Sequence, residues 1–261
     1  MLTVAIINQK GGSGKTTTAV NLAAALAEKG KRVLVIDVDP QASASKWLGI
    51  RDGGKGLFTV FTENGNLSAF VANTAFTGID VIPASTWLVG VERAMAGEVG
   101  AELVLRRAIR RLPQERWHYV LIDCPPSLGL LSISALAASD KVLVPVESHV
   151  MALDGLAALL QTVERVRERL GTETDLWAVL PCRVDMRKNL CKDVLSKLQE
   201  GFGSLVLKAV IRENVRIAEC PSFFQPVTAY DSKSTGAADY RAVASELLKK
   251  ARTQTKMKEV A

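Results

Sequence analysis

Apolar positions along the chain fall into two textures. Short runs without polar alternation occupy residues 2–7, 33–36, 81–83, 119–122, 142–146 and 177–180. They read as strands covered on both faces, because a strand with one wet face alternates apolar and polar side chains. Longer stretches with helical spacing cover residues 16–28, closed by Gly30, and then roughly 88–111, 129–138, 151–170, 188–200 and 236–252. The regular exchange of strand and helix predicts an α/β fold, with a doubly wound, mostly parallel sheet flanked by helices. Residues 49–78 carry Gly53, Gly54, Gly56, Gly65 and Gly78 and little periodicity, so loops and short helices are expected there. No internal repeat, low-complexity tract or Pro/Gly/Ser linker interrupts the chain, and residues 1–261 read as one domain.

With 48% hydrophobic and 23% charged residues, the chain has enough apolar material for a buried core, which excludes disorder as its main state. Cysteines stand at 124, 182, 191 and 220 and form no C-x-x-C pair. A zinc ribbon, an iron-sulfur ligand set and a disulfide framework are therefore poorly supported, and buried reduced thiols are expected. The first residues lack the basic start and long apolar core of a signal peptide. No apolar run approaches the roughly 18 residues that cross a bilayer, so a cytoplasmic protein is expected. The two histidines, His118 and His149, lie far apart in sequence and suggest no metal site.

Net charge is 33 − 27 = +6. Residues 1–182 hold 18 Lys+Arg and 18 Asp+Glu, while residues 183–261 hold 15 and 9, so the whole excess falls in the last third. That asymmetry is what a polyanion-facing surface would produce, and equally what a solvated basic face would.

The first strand runs into Lys10-Gly11-Gly12-Ser13-Gly14-Lys15-Thr16-Thr17, and a helix follows at once. In that setting backbone N–H groups and a helix N-terminus can surround a phosphate chain. Glycines let the backbone approach phosphate oxygens, Lys15 offers a point charge to the β- and γ-phosphates, and the Thr16 hydroxyl can ligate Mg²⁺. The strict pattern G-x-x-x-x-G-K-[ST] fails, since Gln9 stands five residues before Gly14. A second lysine, Lys10, sits at the mouth of the loop instead. Carboxylates close two other strands: Asp37 and Asp39 after residues 33–36, and Asp123 after residues 119–122. Carboxyl ends of parallel strands open on the crevice where such sheets bind ligands.

The run from Lys10 to Thr18 resembles the deviant Walker A loop of the ParA/MinD superfamily. Val33-Leu-Val-Ile-Asp37-Val-Asp39-Pro40-Gln41 is similar to the family's second motif, and Tyr119-Val-Leu-Ile-Asp123-Cys-Pro125-Pro126 to its Walker B strand end. The segments Asn214-Val-Arg216-Ile-Ala-Glu219, Pro226-Val-Thr-Ala-Tyr230-Asp231 and Ser234-Thr-Gly236-Ala-Ala-Asp239-Tyr240 resemble ParA proteins of the Soj type. These motifs occur in order over nearly the whole chain.

The resemblance implies an ATPase that needs ATP and Mg²⁺. It implies cofactor contacts from Lys10 through Thr17, metal contacts from Thr16, Asp37 and Asp123, and an attacking water oriented by Asp39. Lys10 would reach the phosphates of a partner subunit in an ATP-bound homodimer, and a side chain at position 12 would face that subunit. By the same resemblance the dimer binds double-stranded DNA without sequence preference, through Arg187 and Arg216 with Lys188 and Arg212 as neighbours. A ParB-like adaptor would stimulate hydrolysis, and the protein would sit on the nucleoid in the service of a plasmid, a chromosome or another cargo. Arg216 could instead pair with Glu213 or Glu219. A MinD-like membrane helix is the alternative, but the tail 253–261 offers only Met257 and Val260 as apolar anchors, so no stable membrane association is expected. An iron-sulfur carrier of the same superfamily would need paired cysteines that the spacing does not supply. Glu147-Ser148-His149 departs from the Gln- or Thr-containing segment often found in relatives.

Overall fold

The computed structural model of the chain describes the backbone of residues 1–148 and 152–260, and the side chains of residues 1–148 and 153–253. Seven strands form one sheet: β1 (Leu2–Ile6), β2 (Val33–Asp37), β3 (Ala72–Asn73), β4 (Ile79–Ile82), β5 (Tyr119–Asp123), β6 (Lys141–Glu147) and β7 (Asp175–Cys182). Their order is β3-β4-β2-β5-β1-β6-β7, and every pairing is parallel except β3 with β4. The helices are α1 (Lys15–Ala27), α2 (Ser43–Trp47), α3 (Gly56–Glu63), α4 (Val91–Ala94), α5 (Val104–Arg110), α6 (Leu130–Ala138), α7 (Ala152–Leu170), α8 (Asn189–Phe202), α9 (Val215–Glu219), α10 (Val227–Tyr230) and α11 (Thr235–Val260).

The unalternating strands are indeed covered twice. Leu34 and Ile36 of β2 and Val120 and Ile122 of β5 pack on one side with Leu105 and Ile109 of α5, Leu136 of α6, Leu159 of α7 and Leu198 of α8. Their neighbours Val33, Val35 and Leu121 point the other way, into Val20 and Leu22 of α1 and Tyr240, Val243 and Leu247 of α11. Because successive side chains alternate between faces, an all-apolar strand feeds two cores at once.

Two expectations are corrected. The stretch 88–111 is not one helix: a 3-10 turn at Thr86–Gly90, then α4, a second 3-10 turn at Ala101–Leu103 and α5 divide it. Gly97 (φ 85°) and Gly100 (φ 74°) take left-handed backbone, which ends a right-handed helix wherever it occurs. The edge strand β3 was not foreseen, since two residues carry no periodicity; Ala72 and Asn73 pair with Val81 and Asp80. Within 49–78 the expected short helices are α3 and a 3-10 turn at Leu67–Phe70. His149 and residue 151, the predicted start of α7, lie outside the described residues, as do the side chains of Met257 and Val260 in the tail.

Candidate nucleotide site

The carboxyl ends of β1, β2 and β5 meet at one point. Ile6 is in register with Asp123, and Asp123 with Asp37. From Ile6 the chain turns through the glycine loop into α1, whose N-cap is Gly14 in left-handed backbone (φ 94°). Gly12 is also left-handed (φ 75°), so an L-residue at either place would strain the turn. At Gly11 and Gly12 nothing lies within 4 Å of where a Cβ would be, so the loop is open on its outer side. The loop floors a cleft of about 940 Å³ that also touches Asp39, Glu147, Lys188, Arg212 and Asn214. Leu190, Ile211, Val215 and Pro221 add an apolar part to its lining.

Lys15 is buried and folds back over the loop, its Nζ donating to the Lys10 carbonyl at 3.2 Å. Burial pushes its pKa down, against the carboxylates of Asp123 and Asp39, which pull it up. Lys10 points the other way: its Nζ lies 2.9 Å from Glu147 Oε2, while Arg183 Nη1 approaches Glu147 Oε1 at 3.4 Å. The loop's two lysines thus have opposite surroundings, one inside and one half exposed. Glu147, for which the sequence offered no account, is the Lys10 partner.

The three acidic residues also differ. Asp123 is fully buried, and neither carboxylate oxygen is held in a well-formed hydrogen bond; the Thr16 hydroxyl is the donor set against it. Burial, with the Asp37 carboxylate beside it, raises its pKa well above the usual range. Asp37 is equally buried but saturated: Oδ2 accepts from the Ser45 amide (2.8 Å) and hydroxyl (2.7 Å), and Oδ1 from the Asp39 amide (3.1 Å). Burial lifts its pKa to about 6 despite these bonds. Asp39 is half exposed on the cleft wall, with Oδ1 accepting from the Gln41 amide at 2.9 Å. Ser13 is buried in the loop with an unpartnered hydroxyl. All four cysteines are buried free thiols, and burial and the Asp123 charge push the Cys124 thiol well above its ordinary range.

Two buried carboxyls side by side are costly to ionise together. A carboxyl whose folded pKa lies above its unfolded value favours folding more as pH falls through the folded pKa. Asp37, at about 6, should therefore add stability to the nucleotide-free protein between pH 7 and pH 5. Asp123→Asn removes a carboxyl that burial and the Asp37 charge make costly to ionise. It is expected to raise the melting temperature of the nucleotide-free protein by several degrees, on the order of 1–3 kcal/mol for removing a poorly satisfied buried ionisable group, and to abolish further stabilisation by Mg²⁺ with nucleotide. Scanning calorimetry with and without Mg²⁺ and nucleotide checks both halves; a variant less stable than the parent in the nucleotide-free state would refute the account of Asp123.

The residues singled out for DNA are not free cations. Arg187 Nε and Nη2 clasp Asp185 at 2.9 and 3.0 Å, which holds that carboxyl far below its usual range. Lys188 lies between Asp185 (3.7 Å) and Glu213 (3.6 Å) and borders the cleft. Arg212 also borders the cleft and is bound by the buried carboxylate of Asp239 through its backbone amide (3.0 Å) and guanidinium. Arg216 pairs with Glu219 at 3.1 Å and Asp231 at 3.4 Å, the local pairing left open by the sequence. Sequence reading missed Glu147, Ser45, Asp185 and Asp239, whose partners are too distant along the chain or too ordinary in type to mark them.

A glycine loop between the first strand and first helix, a buried lysine over it and carboxylates on neighbouring strands define a P-loop nucleotide-binding protein. A family model described as an AAA domain matches residues 1–176. The sporulation initiation inhibitor protein Soj of Bacillus subtilis (strain 168) is 42% identical over 246 residues, covering 94% of this chain and 97% of that protein. The chromosome partitioning protein ParA of Caulobacter vibrioides (strain NA1000 / CB15N) is 41% identical, covering 95% and 94%. A crystal structure of cobyrinic acid a,c-diamide synthase from Mycobacterium smegmatis with bound ADP and magnesium superposes with a TM-score of 0.84 at 31% identity, covering 97% of this chain and 96% of that one. The chain belongs to the Soj/ParA family of ParA/MinD-type positioning ATPases.

Proposed function

We propose that the chain is an Mg²⁺-dependent ATPase that dimerises around ATP, binds DNA without sequence preference as the dimer, and positions a plasmid, chromosome or other cargo on the nucleoid. The observation that carries the ATPase reading is Asp123, a buried carboxylate with both oxygens unpartnered beneath a glycine loop and beside Lys15. An orphaned anion there fits a divalent cation, and Thr16 is the hydroxyl set against Asp123. Magnesium, when bound, neutralises charge on the phosphates and the transferred phosphoryl group. The chain's own groups do the rest. Loop amides from Gly11 to Thr17 and the start of α1 hold the phosphate chain. Lys15 supplies a cation that burial keeps unhydrated. Asp39, on the cleft wall, accepts a hydrogen bond from the attacking water. Asp37, whose oxygens are taken by Ser45 and the Asp39 amide, is assigned a positioning role: it fixes the main chain that carries Asp39.

Dimerisation is supported by Lys10, whose ammonium is held by Glu147 rather than turned into the loop and which stands half exposed beside open space at Gly11 and Gly12. The DNA and adaptor roles rest on the Soj and ParA relatives. Among the described residues no helix is long and apolar enough to cross a membrane.

Light scattering with a slowly hydrolysed ATP analogue should show a dimer, with ADP a monomer. Only the first should bind two unrelated duplexes tightly, since doubling the contacts multiplies the affinity. Equal affinity in the two nucleotide states would sink the switch.

A further inference from the structure

The net charge of residues 1–182 is zero, but their charges are segregated in space. Helix α5 and the residue after it carry Arg106, Arg107, Arg110 and Arg111, and none of the four pairs with a carboxylate among the described residues. Arg107, Arg110 and Arg111 are exposed, while the other side of the helix (Val104, Leu105, Ala108, Ile109) is sunk in the core. The basic surface continues past the helix. Arg32 binds the carbonyls of Glu115 and Arg116 at 2.7 and 2.6 Å, bringing Lys31 and Arg32 to the same edge. Burial lowers the pKa of His118 there, and the charges of Arg32 and Lys31 lower it further, as a positive local field requires.

Carboxylates at this edge are few. Asp80 is engaged by Arg116 and the Trp117 indole, and Asp140 by the Thr3 amide, which leaves Glu63, beside the Asn64 that Arg111 bonds, with Glu102, Glu115 and Glu173 against the cations. A helix C-terminus favours basic residues in its last turn; that accounts for Arg107 and Arg110 but does not reach Arg32. Arg106 and Arg110 line a hollow with Thr3, Asp140 and Thr172, residues at the amino ends of β1, β6 and β7. The surface therefore lies at the opposite pole of the sheet from the nucleotide cleft.

We propose that this arginine pole, centred on Arg107, Arg110 and Arg111, is a contact surface for the phosphates of duplex DNA, distinct from the Arg187 and Arg216 face. Arg107 and Arg111 donate only to neutral groups, the Gly100 carbonyl and Asn64, so their charge is not offset by a carboxylate and releases counterions on meeting phosphates, whereas that of Arg187, Arg212 and Arg216 is partly neutralised by the carboxylates they hold. A lipid surface is a poor fit, because the apolar side of α5 is already buried and leaves nothing to insert. The inference rests on the DNA-binding reading above but assigns the contact elsewhere. Being remote from the cleft, the pole is available in every nucleotide state.

The test is a salt titration between 50 and 200 mM on two unrelated duplexes, with ADP and with a slowly hydrolysed ATP analogue. It compares the parent, Arg107→Ala/Arg110→Ala/Arg111→Ala, and Arg187→Ala/Arg216→Ala, with circular dichroism and basal ATP turnover as controls. Arg107→Gln/Arg110→Gln stands in should the triple variant not fold. Each lost contact flattens the plot of log affinity against log salt by about 0.9, so the triple variant should flatten it by about 2.7 in the ADP-bound monomer, roughly a fortyfold loss of salt sensitivity over that range, and by up to about twice that slope in the ATP-bound dimer. An unchanged slope in the triple variant overturns the inference, and if the Arg187/Arg216 variant alone is impaired, the DNA-binding reading survives without it. Parent protein that binds neither duplex in either state overturns both. Lost binding to poly-L-glutamate with an unaltered DNA slope would reassign the pole to an acidic protein segment and overturn it too.

Discussion

Asp39→Ala is expected to bind Mg²⁺ and ATP with close to parental affinity and to hydrolyse it at least about a hundredfold more slowly. Affinity is retained because the loop amides, Lys15, Thr16 and Asp123 are untouched. Turnover falls because positioned proton acceptors contribute about 10²–10⁴ to such reactions. The local fold should tolerate the change: Asp39 is half exposed and its side chain accepts a single bond, from the Gln41 amide. A truncated Asp37 would be a different experiment, since it would release Ser45 and the Asp39 backbone together. Single-turnover hydrolysis and fluorescent-nucleotide binding separate the two quantities. Parental turnover in Asp39→Ala would remove Asp39 from the chemistry.

The two lysines of the loop should fail in different ways. Lys15→Ala is expected to weaken nucleotide binding by roughly ten- to a hundredfold, the worth of a charge-assisted bond in a partly dry site. Lys10→Ala should leave nucleotide binding by the monomer nearly intact, yet lose the ATP-dependent dimer. With it should go as much as about a thousandfold of turnover, the lower range for a cation supplied in trans. Glu147→Gln bears on the same point with the opposite sign. Its carboxylate holds Lys10 at 2.9 Å within one subunit, so neutralising it should shift the dimer equilibrium towards association. The shift should be up to about fivefold, because an exposed pair is worth no more than about 1 kcal/mol. Light scattering with a slowly hydrolysed analogue reads all three variants, and a Lys10→Ala dimer as stable as the parent's would exclude the trans role.

Much of this architecture was legible without coordinates because it is written in short range. Residues 119–122 and 33–36 are apolar at every position, as strands of a sheet buried on both faces are. The order Lys10, Gly11, Gly12, Gly14, Lys15, Thr16 is local chemistry, since a loop that surrounds phosphate needs its glycines, cation and hydroxyl within a few residues. Boundaries were less legible where glycines decide them. Gly97 and Gly100 divide residues 88–111, although the flanking apolar spacing continues through them.

What the sequence by itself determined, then, was the kind of fold, the phosphate loop and the identity of the acidic residues near it. Only the tertiary structure distinguished the environments of those residues. Asp37 and Asp123 look alike in sequence, each ending an apolar strand. In space Asp37 is saturated by Ser45, eight residues on, while Asp123 has only the Thr16 hydroxyl set against it and no backbone donor. The partner of Lys10 lies 137 residues away at Glu147, a separation at which no spacing rule operates. Charge shows the same division most plainly. Summed along the chain, the excess falls after residue 182; arranged in three dimensions, Arg187, Lys188, Arg212 and Arg216 are matched by carboxylates, while Arg107, Arg110 and Arg111, at the C-terminal end of α5, meet none among the described residues. Electrostatic interaction depends on distance through space and on burial, and neither is a function of position in the sequence.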